Sequence, residues 1–118
     1  MRAQSNQAIF ESPALDSAAL GEIVRRLVGA YDPLKIYLFG SVARGEAGPD
    51  SDYYLMIIVP DDSAPQRRRS RLAYQALRGT VTAADVLVWA KSDFERRARV
   101  IASLPATVMR EGKLIYGR

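Results

Sequence analysis

The 118-residue sequence contains no cysteine and no histidine, and each absence removes a class of chemistry. Without cysteine, the protein can form neither a disulfide nor a thiolate zinc site. Without histidine, imidazole can serve neither as a general base nor as a metal ligand. Any bound metal ion must therefore be held by oxygen atoms, which favours hard cations such as magnesium.

Long hydrophobic runs are absent as well. No apolar stretch approaches the roughly 20 residues that are needed to span a bilayer. The first eleven residues are polar and mixed, which is not the pattern of a secretory signal. We therefore expect a protein of the cytoplasm that does not contact a membrane.

The composition that remains is typical of one globular domain, with 48% hydrophobic and 25% charged residues. Seventeen basic against 13 acidic residues give a formal net charge of +4. This mild excess suits an anionic ligand such as a nucleotide, but it does not by itself indicate nucleic-acid binding. The basic run at residues 67–71 is predicted to be a solvated face, because no aromatic residues are interleaved to stack on bases.

Hydrophobic periodicity predicts a flexible N-terminal arm over residues 1–15 and a single domain over residues 16–118. The predicted elements of the domain, in order, are a helix ending near residue 31, strands at 34–39 and 52–59, a helix at 66–78, a strand at 81–89, helices at 92–103 and 105–111, and a strand at 113–116. Ser92 and Glu95 are predicted to form a capping box. This order indicates an α/β (α+β) fold in which helices pack on a small mixed β-sheet.

Two sets of apolar residues near the end of the chain lead to different expectations. The stripe Phe94, Ala98, Ile101 and Ala102 is predicted to lie in the core. For a second set either the core or a partner surface is possible, and its members are Leu104, Val108, Met109 and Ile115.

One stretch, residues 38–55 (LFGSVARGEAGPDSDYYL), carries the candidate chemistry. The first predicted strand ends in Gly40-Ser41, where glycine lets the backbone approach an anion closely and the serine offers a hydroxyl and an N–H group. Arg44 follows three residues later, on the same side of the expected helical turn, and can reach a phosphate oxygen. The pattern therefore predicts a phosphate-binding turn.

Carboxylates are expected to face this turn. The next strand opens with Asp52, and because alternate residues of a strand share a face, Asp52 and residue 54 should point together toward the turn. Asp85, on a predicted neighbouring strand, can join them. A phosphate-binding turn opposite a group of carboxylates is what metal-dependent phosphoryl transfer requires.

This arrangement resembles the signature of the DNA polymerase β-like nucleotidyltransferase superfamily, and in particular its minimal nucleotidyltransferases. That signature has a Gly-Ser pair, ten further residues, an Asp-x-Asp, and a third carboxylate on a later strand. Gly40-Ser41, the ten residues 42–51 and Asp52 match it, and Asp85 resembles the third carboxylate. The resemblance covers roughly residues 20–116 and implies the nucleotidyltransferase fold.

The resemblance also implies how a nucleotide would be bound. Ser41 and Arg44 would hold the β- and γ-phosphates of a nucleoside triphosphate, with ATP as the expected nucleotide. Gly40 and Ser51 would belong to the same nucleotide-binding site, and Ser51 matches the short bacterial and archaeal members of the family.

The implied metal site departs from the family pattern at one position. By resemblance, Asp52 would bridge two magnesium ions, and Asp85 would bind one of them and help activate the attacking hydroxyl. Where the family has a second ligating aspartate, this sequence has Tyr54. A neutral phenol is a poor ligand for magnesium, because its usual pKa is near 10. Asp50 comes two residues too early to replace it directly.

The resemblance implies a magnesium-dependent transfer of AMP from ATP to a hydroxyl group. Minimal members of the family are commonly paired with a small helical HEPN-type protein as antitoxin to toxin, and some adenylylate a tyrosine of that partner. Both homo-oligomers and hetero-oligomers are compatible with the sequence. The alternative is a degenerate transferase that binds a nucleotide or a partner without catalysis, and Tyr54 favours this alternative.

Overall fold

The computed structural model describes residues 18–40, 42–45, 52–80 and 84–118. The predicted arm at 1–15 lies outside these residues, and so do Ser41, Asp50 and Ser51. The elements are α1 (Ala18–Tyr31), β1 (Lys35–Phe39), β2 (Tyr53–Val59), a 3-10 turn (Pro65–Arg68), α2 (Ser70–Ala76), β3 (Ala84–Ala90), α3 (Lys91–Ala98), α4 (Leu104–Glu111) and β4 (Lys113–Gly117). Among the described residues, no helix has the length and hydropathy needed to cross a bilayer.

The four strands form one mixed sheet in the order β3-β2-β1-β4. Strand β1 pairs antiparallel with β2 on one side and with β4 on the other, whereas β2 and β3 are parallel. The predicted α/β class and mixed sheet are therefore confirmed. Strand β2 is central, and its continuous apolar sequence is explained by burial on both faces.

Helices cover the two faces of the sheet unequally. Helices α1 and α2 pack on one face, against alternate residues of the two central strands: Ile36, Leu38, Leu55, Ile57 and Val59. On the opposite face, Phe94 of α3 and Val108 of α4 pack against a smaller cluster that contains Tyr37, Met56 and Ile58. This second face is where the sheet keeps accessible surface.

The helix predicted at 66–78 is interrupted in the structure. Arg69 is extended (φ −118°, ψ 142°) and separates the 3-10 turn from α2. Its carbonyl oxygen accepts a hydrogen bond of 2.5 Å from the hydroxyl of the buried Tyr31 in α1. Burial raises the pKa of Tyr31 to about 12, so the hydroxyl remains a donor. The interruption is thus stabilised by a contact with a distant helix.

The helix predicted at 92–103 also ends early, at Ala98, and this corrects the predicted core stripe. Phe94 is buried as expected, but Ile101 is 82% exposed and Ala102 is exposed. The cause is Ser103, whose hydroxyl donates to the carbonyl oxygen of Arg97 and accepts from the N–H of residue 106 at the start of α4. The chain therefore turns before residue 101 reaches the core.

The second apolar set divides between core and surface. Val108 and Ile115 are fully buried, whereas Leu104 and Met109 are 39% and 54% exposed. The core alternative is therefore confirmed for Val108 and Ile115, and a partner surface stays a prediction for Leu104 and Met109.

The start of α3 is capped from outside the helix. The predicted capping box is wrong: Ala90 is the N-cap residue, and it makes no side-chain cap. Instead, Asp61 Oδ1 accepts hydrogen bonds from the Ser92 N–H (2.9 Å) and hydroxyl (3.1 Å). Glu95 forms an ion pair with Lys91 instead of reaching back to the cap. The loop after β2 thereby supplies the acceptor for a helix that begins about 30 residues later.

We predict that Asp61→Ala lowers the melting temperature near neutral pH, whereas Asp62→Ala, at the neighbouring exposed carboxylate, leaves it nearly unchanged. The hydrogen bond from the Ser92 N–H lowers the pKa of Asp61. The stabilisation is therefore fully present above the pKa of the unfolded chain, about 3.9, and is lost as the pH falls through the folded value. Thermal denaturation from pH 7 to pH 2 should show the two melting curves converging at acid pH; a constant difference would contradict the assignment.

Candidate functional site

The candidate residues meet at the end of the sheet where β1 stops and β2 and β3 begin. Tyr54 of β2 lies between Phe39 of β1 and Asp85 of β3 in the strand register. Asp52 directly precedes β2 and is two residues before Tyr54, so that an extended chain gives the two the same face. Asp52 and Asp85 are both exposed. This end of the sheet is the accessible part of the face covered elsewhere by α3 and α4.

The segment after β1 forms the tight turn that the sequence predicts. Gly40 has φ +85°, a conformation that favours glycine, and its carbonyl oxygen accepts a hydrogen bond from the Arg44 N–H at 3.2 Å. Val42 and Ala43 are buried in the core formed with α1 and α2. Val42 and Ala43 thus anchor the turn in the core, while Arg44 remains partly accessible on the surface.

Tyr54 covers the glycine of this turn. A Cβ atom built on Gly40 would lie 3.0 Å from Cδ2 of the Tyr54 ring. The ring also packs against Phe39, with centroids 5.9 Å apart and planes inclined by 45°, and Tyr54 remains 37% exposed. The residue that replaces the expected ligand therefore has a packing contact of its own beside Asp85.

A contact that the sequence did not predict joins this turn to α4. Glu111, the last residue of α4, has its Oε1 atom 3.8 Å from Nη1 of Arg44. Both side chains are more than 40% exposed, and exposed pairs of this kind contribute little, about 0–1 kcal/mol. An anionic ligand could therefore replace Glu111 at low cost. The two residues are far apart in the sequence, so no local pattern signals the pair.

Residues 19–114 match the family model described as a nucleotidyltransferase domain. The chain belongs to this family. The matched range includes the Gly40 turn, Asp52 and Asp85. A search of curated proteins found no match.

Solved structures support the same fold. One is a protein from Sulfolobus solfataricus described as a candidate nucleotidyltransferase, with 21% identity, a TM-score of 0.54, and coverage of 82% of this chain and 76% of that chain. Another is described as a toxin–antitoxin with AMP-PNP, with 23% identity, a TM-score of 0.52, and coverage of 81% and 72% respectively. At these identities the similarity establishes the nucleotidyltransferase fold.

Two carboxylates of the described residues, Asp52 and Asp85, lie at the end of the sheet next to the Gly40 turn. Magnesium keeps several waters and is commonly bound through one or two carboxylates together with substrate phosphates. Asp52 and Asp85 are carboxylates of the type that such a site would use. Within the described ranges, no three acidic residues come together as a metal-binding group. Asp61 lies beyond the far end of β2, and its carboxylate already accepts a hydrogen bond from the Ser92 N–H. The described residues therefore do not supply a third carboxylate beside Asp52 and Asp85.

We predict that Gly40→Ala destabilises the domain more than Gly45→Ala does. Both glycines have positive φ, +85° and +76°, but a Cβ atom would meet no heavy atom within 4 Å at Gly45. Both variants should therefore incur backbone strain of about 1–2 kcal/mol, and only Gly40→Ala should also displace the Tyr54 ring. Urea denaturation measures the difference between the two variants.

The same comparison in a Tyr54→Ala background isolates the ring contact. The excess cost of Gly40→Ala over Gly45→Ala should then disappear, because the obstructing side chain is absent. An excess that persists without the ring would show that the Tyr54 contact is not its cause.

Proposed function

We propose that the protein is a magnesium-dependent nucleotidyltransferase that transfers a nucleoside monophosphate, AMP from ATP as the leading case, to a hydroxyl group. The single observation that supports this most is the parallel register of β2 and β3. It sets Asp85 beside Tyr54, two residues from Asp52, on the accessible face next to the Gly40 turn. Membership of the nucleotidyltransferase family adds the reaction class.

In this proposal the turn and the strands have separate tasks. The segment from Gly40 to Arg44, with Ser41 and Ser51, binds the β- and γ-phosphates and orients the leaving group. The guanidinium of Arg44 exchanges its ion pair with Glu111 for a phosphate oxygen. Binding at this turn fixes the nucleotide so that its α-phosphate faces the open end of β2 and β3.

Asp52 and Asp85 would hold the magnesium ion. When bound, the ion neutralises phosphate charge in the transition state. Asp85 accepts the proton of the attacking hydroxyl, whose oxygen forms a bond to the α-phosphorus. The bond between the α-phosphorus and the bridging oxygen breaks, and pyrophosphate leaves with that electron pair. Atoms and charge balance without another reactant.

We place the acceptor hydroxyl on a partner protein. The structural neighbour described as a toxin–antitoxin with AMP-PNP supports both a nucleotide ligand and a protein partner. We propose a small helical HEPN-type toxin as that partner, with this chain as its antitoxin in a cytoplasmic hetero-oligomer. ATP would be the nucleotide donor.

A second candidate function is a binding module without catalysis. Tyr54 favours it, because the residue removes a carboxylate from the implied metal site and instead packs on Gly40 and Phe39. In that case the domain would act as an antitoxin by binding its partner, with or without nucleotide.

We predict that Arg44→Ala weakens ATP binding by about tenfold or more. One charge-assisted contact contributes roughly 1.5–3 kcal/mol, and each 1.4 kcal/mol corresponds to a factor of ten. Isothermal titration calorimetry with ATP and magnesium measures the change. Arg99→Ala, at an exposed arginine on the turn after α3, is the matched control and should bind ATP like the wild type. Equal ATP affinity in wild type and Arg44→Ala would exclude Arg44 from the site.

We predict that Tyr54→Asp tightens magnesium binding in the presence of ATP and increases nucleotidyl transfer, because it supplies the absent carboxylate. Metal-assisted charge stabilisation contributes several kcal/mol to such reactions, so the increase in rate should be tenfold or more. Tyr54→Asn is the control, since it removes the ring without adding charge. Transfer is measured with [α-³²P]ATP, magnesium and candidate HEPN-type partner proteins.

The outcomes of this comparison separate the two functions. Label transfer by the wild type supports the enzyme. Transfer by Tyr54→Asp alone supports a module that has lost catalysis through this substitution. If Tyr54→Asp and Tyr54→Asn behave alike in both magnesium affinity and transfer, position 54 is not a metal-ligating position.

A further inference from the structure

A cleft at the opposite end of the sheet is not used by the proposed reaction. It has a volume of about 400 Å³ and is lined by residues of β1, β2, α3 and α4. Lys35 and Ile58, which face each other in the register, lie at this end, whereas Phe39 and Tyr54 mark the end with the Gly40 turn. Lys35 and Phe39 are four residue steps apart along β1, which is about 13 Å. The cleft is therefore a distinct place on the sheet face.

The floor of the cleft is aromatic and apolar. Tyr37 of β1 and Phe94 of α3 are nearly parallel rings, with centroids 5.8 Å apart and planes inclined by 14°. Ile58 and Ala98 extend this surface, and Met109, 54% exposed, forms a wall. A volume of this size, with mostly apolar walls, is typical of small-molecule sites. A flat or aliphatic group would bury well here.

The polar groups of the cleft are mainly cationic. Lys91 is paired with Glu95 at 3.8 Å, and Arg118 with Asp32 at 3.4 Å. Lys35 is exposed, and its ammonium has no carboxylate within 4 Å among the residues that the structure describes. The cleft thus presents one cation whose charge no described carboxylate balances.

The hydroxyl of Tyr37 is a second polar group with capacity for a ligand. In the described part of the chain it has no hydrogen-bond partner, and no buried side-chain polar atom there is left unsatisfied. Tyr37 is 8% exposed, and the cleft that it lines is the accessible space next to its ring and hydroxyl.

We propose that this cleft binds a small organic anion, with an apolar or aromatic body on the Tyr37–Phe94 floor and an acidic group on Lys35. The Tyr37 hydroxyl can add a hydrogen bond to the same ligand. A nucleoside triphosphate does not fit this description, because its several phosphate charges would face one unbalanced cation and an apolar floor. The site is thus separate in place and in ligand chemistry from the Gly40 turn.

The probe for this test is 1-anilinonaphthalene-8-sulfonate, which combines an aromatic body with one negative charge. Its fluorescence increases when it binds in an apolar environment. We expect one probe to bind per folded chain, and Lys35→Glu to weaken its binding by about tenfold. Lys113→Glu, the same change at an exposed lysine of β4 outside the cleft, should have no effect. The uncharged analogue N-phenyl-1-naphthylamine should bind wild type and Lys35→Glu equally.

A second variant tests the apolar floor. Ala98→Phe should fill the cleft and abolish the fluorescence, while circular dichroism confirms that the variant is folded. Ile101→Ser, which removes the most exposed large apolar side chain among the described residues, should leave the signal unchanged. 3-Phenylpropionate should displace the probe, and 3-phenylpropanol, its uncharged counterpart, should do so only at much higher concentration.

Several results would overturn the proposal. These are equal probe affinity in Lys35→Glu and wild type, full fluorescence in folded Ala98→Phe, or loss of the signal in Ile101→Ser. ATP binding, measured by calorimetry on the same variants, should not change. A failure of this proposal therefore remains distinguishable from a failure of the proposed nucleotidyl transfer.

Discussion

The parallel pairing of β2 with β3 is the contact on which the candidate site depends, because it alone brings Asp85 beside Tyr54. Parallel strands need a crossover connection, and here the 3-10 turn and α2 provide it. Helix α1 holds α2 of that crossover at both of its ends: Tyr31 donates to the carbonyl oxygen of Arg69, and Arg26 donates to the carbonyl oxygens of Ala76 and Arg78. Side chains of α1 thus help to set the register between β2 and β3, although α1 is not part of the sheet.

Tyr54 makes the chemistry of the site and its packing inseparable. In the proposed site, the strand position beside Asp85 is where a metal ligand would lie, but the Tyr54 ring contacts both Phe39 and the α-carbon region of Gly40. Two constraints therefore favour glycine at position 40: its positive φ, and the Tyr54 ring that leaves little room for a Cβ atom. A sequence that reacquired a carboxylate here would gain charge and lose an aromatic contact, so the two properties cannot be optimised independently.

The sequence predicted those features that depend on local pattern. The apolar run of β2 and the glycine after β1 were sufficient to predict the central strand and the turn, whereas the metal-binding role of Asp52 and Asp85 stays a prediction. It failed where a distant residue decides the structure. Asp61 replaces the expected cap of α3, and Ser103 diverts Ile101 into solvent. Neither hydrogen bond can be predicted from hydrophobic periodicity, because a hydrogen bond between separate segments does not require a regular spacing of residues.

The order of the sheet has a consequence for synthesis on the ribosome. Strand β1 is translated well before β4, the strand with which one of its edges pairs in the described sheet. Until β4 is translated, that edge presents unpaired backbone groups, which can template pairing with another chain. Rapid docking of residues 113–117 is therefore a safeguard against co-translational aggregation, and slow translation just before this segment would lengthen the period of risk.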